Sequence, residues 1–357
     1  MIILKLKTWF LSQNALRLLF LRAAVIRFSN KQISSGCALI NIMRTYRLLF
    51  VCSTSFVLAV GLLAGCAGLK KASIPHLPGN VPCRSELDSV PFYPQDAYQC
   101  GPATLAMALT WSGLPITPEE LKEQVYTPSR KGSLQMAMVG ATRRHGRIAY
   151  AIEGLNEMFQ EIAAGRPVIV LQNLGLSWLP VWHYAVVIGY DLDEENIYLH
   201  SGETKRKVMS YYVFEKTWAR SNYWGLLVLQ PNQIPVLASE SDYLTAVLGL
   251  EKARHYKEAV IGYQTAITRW PESLTALMGL GKSYYSLGDF SGAESAFREA
   301  TERHPRSGPA HNNLAHVLLK QGRKQEALTA VQRAIELGGP MSAVYKETLQ
   351  EIQSEMP

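Results

Sequence analysis

Apolar and polar positions follow three different rhythms along this chain. Up to residue 65 the sequence is apolar and its only charges are basic. Between 88 and 231 the rhythm is mixed. A polar loop at 94–99 ends at Cys100, and an Ala/Leu/Met-rich run with good helix propensity follows. This predicts a helix from Cys100 to near Ser112 and Gly113. A second helix is predicted from Thr117, which caps it, with Pro118 at its first position and Glu120 three residues after the cap. A third is predicted after Ser133. The period then changes. Runs at 167–171, 183–190, 197–199 and 224–229 are β-branched or aromatic-rich and bounded by Gly, Asp or Asn, which predicts strands. Helices first and strands afterwards predict an α+β domain with an antiparallel sheet over 88–231.

From residue 240 the pattern repeats. Ala259, Ala293 and Ala327 lie 34 residues apart, as do Ala266, Ala300 and Ala334, and Tyr263, Phe297 and Val331. Pro271 and Pro305 close two units, and Gly339-Pro340 closes the third. The central unit carries Leu280-Gly281, Tyr284, Ala293, Phe297, Ala300 and Pro305, a set that resembles the tetratricopeptide repeat. Small alanines let paired helices approach, and the aromatics fill the space between them. Residues 240–354 are therefore expected to form a separable all-α array of three units with a capping helix over 341–354.

Charge changes the picture only at the N-terminus. The net charge is +7, but residues 1–65 hold eight Lys/Arg and no acid, and the remainder carries 28 basic against 29 acidic residues. The basic balance belongs to a targeting segment, so no nucleic-acid partner is implied. Arg44 and Arg47 precede an apolar stretch at 48–63, shorter than the roughly 20 residues a spanning helix needs. It ends Leu63-Ala64-Gly65-Cys66, which resembles the bacterial lipobox. The resemblance implies a signal peptide at 43–65, lipid on Cys66, membrane attachment through that lipid, and an outer-membrane lipoprotein facing the periplasm; an uncleaved anchor is the alternative. Residues 1–42 are expected to be an upstream extension, with Met43 the start. A Pro/Gly-rich tether is expected over 66–87.

The chemistry centres on Cys100 and His183. A cysteine at a helix N-terminus meets unpaired N–H groups and the positive end of the dipole, which favour the thiolate and predict a low thiol pKa. His183 heads the long apolar run Tyr184-Ala185-Val186-Val187-Ile188-Gly189-Tyr190, where a strand would hold a general base rigidly. Of the two cysteines left after the leader, Cys83 is within reach of Cys100. Two free thiols are expected, because a disulfide would disable the nucleophile.

Together, Val90-Pro91-Phe92-Tyr93-Pro94-Gln95, Cys100-Gly101-Pro102-Ala103 and His183 to Tyr190 resemble the papain-like superfamily, closest to the double-glycine (bacteriocin-processing) peptidases. The resemblance implies a cysteine peptidase with Cys100 as nucleophile, His183 as general base and Gln95 as oxyanion-hole donor, and it implies no cofactor. Gln95 stands five residues before the cysteine, where the family commonly has six. The family's acidic residue after the next strand is missing, because 197–200 leads to Ser201-Gly202. Antiparallel return places Ser201 beside His183. Asp191, in the turn at the far end of the His183 strand, is out of reach, and His200 should face the other side of the sheet. A hydroxyl can orient an imidazole but cannot stabilise imidazolium as a carboxylate does. Three functions stay open: a peptidase whose repeats hold a protein substrate or partner, a binding and assembly lipoprotein with little turnover, and an amidase on cell-wall peptides. Arg143-Arg144-His145 reads as a solvated helix end, and Trp178, Trp182, Trp218 and Trp224 read as core or cleft wall.

Overall fold

The computed structural model describes residues 81–95 and 99–355. Its N-terminal part is built on a seven-stranded antiparallel sheet: β1 (Arg84–Glu86), β4 (Ile148–Glu153), β5 (Val168–Asn173), β6 (Trp182–Asp191), β7 (Asn196–Ser201), β8 (Thr204–Ser210) and β9 (Trp224–Leu229). The order across the sheet is β4-β9-β5-β6-β7-β8. β5 pairs with Trp182 to Val187 of β6, and β1 pairs with Gly189 to Asp191. β7 pairs with this same stretch of β6, so β1 lies on the side of β6 that β5 leaves vacant. The expected tether is thereby corrected at its end, because residues 84–86 are a strand of the sheet. Two-residue strands β2 (Tyr126–Thr127) and β3 (Gly132–Ser133) pair separately.

Alternation along the strands sends side chains to two cores. Tyr184, Val186 and Ile188 of β6, with Ile169, Leu226 and Val228, face α1 (Cys100–Trp111), α2 (Pro118–Val125) and α3 (Gln135–Arg144). Ala185 and Val187, with Val168, Val170 and Leu227, face α4 (Leu155–Ala163) and α5 (Tyr211–Ala219). α1 contains no charged residue, and Gly101 to Leu109 are all buried. A helix that is apolar on every face belongs inside, and this one is fixed between the sheet and two helices. Thr117 and Glu120 form the expected capping box on α2. The helices-first order is corrected: α4 and α5 lie between strands in the sequence, and β4 and β8 add to the expected strands.

The C-terminal part is a helical array: α6 (Glu240–Lys252), α7 (Tyr256–Arg269), α8 (Leu274–Ser286), α9 (Phe290–Arg303), α10 (Gly308–Lys320), α11 (Lys324–Leu337) and a final α12 (Ser342–Ser354). Ser239, Ser273 and Ser307 stand 34 residues apart and cap α6, α8 and α10, each side chain accepting an N–H three residues on. Tyr263, Phe297 and Val331 are buried between the helix pairs.

The array, expected to be separable, shares a core with the sheet. Tyr243, Leu244, Ala246, Val247 and Leu250 of α6 belong to the same buried cluster as Ile148, Tyr150 and Ile152 of β4. Tyr243 donates to the Pro231 carbonyl, 3.0 Å. The linker is clamped as well: Arg166 reaches both Glu161, 2.9 Å, and the Ile234 carbonyl, 2.8 Å. Arg144 is exposed, as expected of a solvated helix end, but Arg143 and His145 are half-buried. The Arg143 side chain packs on Gly249, where an added Cβ would fall 2.3 Å from Nε, and His255 Nε2 lies 2.7 Å from the Arg144 carbonyl.

Candidate active site

The site forms where the start of α1 meets the starting end of β6. Cys100 is the first residue of α1 and is half-buried; Cys100 and Cys83 are both free thiols. Burial pushes the Cys100 thiol up, and this outweighs the backbone N–H groups of Tyr184, Gly101 and Cys100 itself, which pull it down. The expectation of a low thiol pKa is corrected here: the N–H groups of a helix start are present, but removal of water dominates. That the Tyr184 N–H acts on the thiol brings the sulfur towards the residue that follows His183.

Gly101 makes close packing possible at this helix start. A Cβ there would lie 2.1 Å from Ser133 Oγ, so only glycine lets β3 close over the start of α1. Tyr184 donates to the Ser133 carbonyl, 3.2 Å, and ties β6 to the same loop.

His183 Nε2 lies 2.9 Å from Ser201 Oγ. β7 runs back along β6, so Ser201 returns to the His183 end. Burial pushes the His183 imidazole down to about 4, and the positive charge of Lys207 adds to this. His183 is therefore neutral at neutral pH, and so is the thiol. Asp191 is engaged elsewhere: its Oδ1 accepts from the N–H groups of Asp193 and Glu194, and its Oδ2 lies 3.7 Å from Arg84. His200 bonds the Val90 carbonyl, 3.1 Å, and packs edge-on to Phe92.

Gln95 is held by its backbone N–H, which donates to the Gly202 carbonyl, 3.2 Å. It is only 7% exposed, and neither its amide nitrogen nor its amide oxygen has a hydrogen-bond partner among the described residues. A buried amide left unpaired costs roughly 1–3 kcal/mol, so its position calls for an external partner. Of the site residues expected from sequence, Cys66 lies outside the described residues. Trp218 is core, whereas Trp178 and Trp182 are exposed, so of the two expected places for them core is excluded. Sequence reasoning missed Gly101 as a site residue, although its position directly after the thiol was a signal.

A thiol at a helix start, the N–H of the residue after a strand histidine acting on it, and that histidine bonded to the next strand are the features of a cysteine-peptidase-like domain. Residues 87–225 match the model of the Peptidase_C39 like family, and residues 244–294 and 279–341 match the tetratricopeptide repeat. The chain thus carries a C39-like peptidase domain followed by tetratricopeptide repeats. One curated relative, the small glutamine-rich tetratricopeptide repeat-containing protein 2 of Mycosarcoma maydis, is 30% identical over 97 residues. That match covers 27% of this chain and 27% of the relative's length. Among solved structures, the chain is similar to a C39-like peptidase from Bacillus anthracis at 18% identity and a TM-score of 0.35, covering 41% of this chain and 97% of that one. It is also similar to the TPR2B domain of yeast Sti1 in complex with pHsp70, at 16% identity and a TM-score of 0.32, covering 33% of this chain and 98% of that one.

Proposed function

We propose that this protein is a lipid-anchored envelope cysteine peptidase whose repeats recruit a protein substrate or partner. The observation that carries the reading is Cys100 at the start of α1, with the N–H of Tyr184 acting on its thiol, together with the bond between the preceding residue, His183, and Ser201. In the proposed reaction His183 takes the Cys100 proton, and the sulfur attacks the scissile carbonyl carbon. The carbonyl electrons move onto oxygen, where the Gln95 amide and the N–H groups at the start of α1 would hold them. As the C–N bond breaks, His183 returns the proton to the leaving amine, and water then hydrolyses the thioester. In the tautomer whose Nε2–H donates to Ser201, Nδ1 is the nitrogen that accepts the proton. The neutral resting pair means that charge separates only during reaction.

Sequence alone supports the anchor, through Leu63-Ala64-Gly65-Cys66 and the preceding apolar stretch. With Cys66 lipidated the protein would sit in the bacterial outer membrane and face the periplasm. The match to tetratricopeptide repeats supports a protein partner, and the array offers a groove of about 870 Å³ lined by Leu244, Leu248, Tyr263, Leu274 and Met278. Holding a substrate there would raise its effective concentration at the thiol.

The test is peptide release from cell-envelope extract by the full chain. Cys100→Ala should abolish it, and Gln95→Ala should lower kcat on the order of 10²–10³-fold. Release unaffected by Cys100→Ala would overturn the reading. The second reading, a binding lipoprotein of low turnover, is favoured by Ser201 in place of a carboxylate and by the raised thiol.

A further inference from the structure

Two exposed apolar segments adjoin the candidate site. The first joins β5 to β6 and runs directly into His183. Leu174, Leu176, Trp178, Leu179, Val181 and Trp182 are all exposed, Trp178 by 78%. This segment is a built hairpin. Leu174 N–H donates to the Val181 carbonyl, 2.9 Å, and Leu176 and Leu179 exchange N–H···O bonds of 3.1 Å. The buried Asn173 side chain accepts from the N–H groups of Gly175, 3.0 Å, and Val181, 2.9 Å. Arg220 donates to the carbonyls of Asn173 and Gly175. The second segment follows Ser133, whose side chain rests on Gly101 beside the nucleophile. There Leu134 and Met136 are exposed, Met136 by 77%. Residues 133–138 and 174–182 contain no Asp, Glu, Lys or Arg.

A folded chain does not leave this much ordered, uncharged apolar surface in water without a use. The second bank adjoins Gly101, next to the nucleophile, the first runs into His183, and the buried Gln95 amide has no hydrogen-bond partner among the described residues. A peptide supplies both: a backbone carbonyl for Gln95 and side chains for the banks. We infer that residues 174–182 and Leu134–Met136 are the specificity surfaces of the site, and that its substrate is a peptide segment with large, uncharged apolar side chains on both sides of the scissile bond. This rests on Cys100 acting at a peptide bond.

The experiment uses two dye-labelled octapeptides, one with Leu and Phe on either side of the central bond and one with Ser and Asp there. Binding to the full chain carrying Cys100→Ala is read by fluorescence anisotropy, and cleavage is read with Cys100 intact. The apolar peptide should bind at least about tenfold tighter, the scale of burying one large apolar side chain. Met136→Ser and Trp178→Ser should each erase several-fold of that preference, whereas Leu287→Ser, an exposed leucine in the array, should not. Both bank residues are exposed, so their replacement spares the fold, which far-ultraviolet circular dichroism checks. Equal binding of the two peptides overturns the inference. Cys100-dependent cleavage of both peptides at equal kcat/KM also overturns it and leaves the peptidase reading standing. Selective binding without Cys100-dependent cleavage upholds the banks and removes the peptidase reading. Loss of binding to phosphatidylethanolamine/phosphatidylglycerol vesicles in the two variants, with peptide affinities unchanged, overturns it in favour of a lipid surface.

Discussion

Ser201 holds the Nε2 side of the His183 ring with a neutral hydroxyl, and Lys207 sits near enough to oppose protonation. The imidazole therefore gains little help when it takes the thiol proton. Ser201→Asp supplies a negative charge at this point. The expected outcome is a His183 pKa well above about 4 and faster alkylation of Cys100 near neutral pH, read from the pH–rate profile and from the ring proton resonances. The sign also fixes a stability effect. Unfolded His titrates near 6.5, and folded His183 does so near 4. As pH falls through that window the unfolded chain binds the proton first, so stability is intact above about 6.5 and declines towards 4. Urea midpoints should show this decline, and Ser201→Asp should reduce it. Cys100, His183 and Ser201 were legible in the sequence because each sits in a local context: a helix start, a strand start and an antiparallel return. The protonation state was not, because burial by Ser133, Tyr184 and their neighbours arises only when distant segments meet.

Among the elements, α1 was readable because an uncharged Ala/Leu/Met run has no exposed face to mark with polar residues. α4 was harder to see. Its cap is Gly154 without a side-chain bond, and its apolar signal is confined to Leu155, Met158, Phe159 and Ile162. β1 was masked by the Pro-rich stretch before it. The repeat helices were legible from their 34-residue spacing, and the caps Ser239, Ser273 and Ser307 obey the same spacing. Ser273 is buried and accepts from Ala276 N–H, 3.1 Å. Ser273→Ala should cost about 1 kcal/mol, measured as a lower urea midpoint at unchanged slope. Replacing an exposed neighbour such as Glu272 with Ala should cost much less.

At the scale of the molecule, α6 serves two structures. Leu244 and Leu248 line the repeat groove, and Tyr243, Val247 and Leu250 belong to the core beneath β4. The sequence showed where the repeats begin but not that their first helix completes the sheet's core, because spacing within the array says nothing about what its end packs on. A fragment of residues 240–354 exposes this face. It should aggregate or melt without cooperativity, whereas the full chain should lose both parts in one thermal transition. Superimposable far- and near-ultraviolet melting curves of the full chain would establish the coupling, and two resolved transitions would refute it.

The sheet order also sets a timetable for biosynthesis. β4 lies at one edge and pairs with β9, which then separates it from β5. A ribosome delivers residues 148–153 well before residues 224–229, and α6 later still. Until then β5 has only β6 to pair with, and β4 has no ladder partner, its apolar side chains covered only in part by α4. A nascent chain in this condition is a natural client for chaperones and a target for proteases. It leaves that condition only when the first repeat helix has emerged.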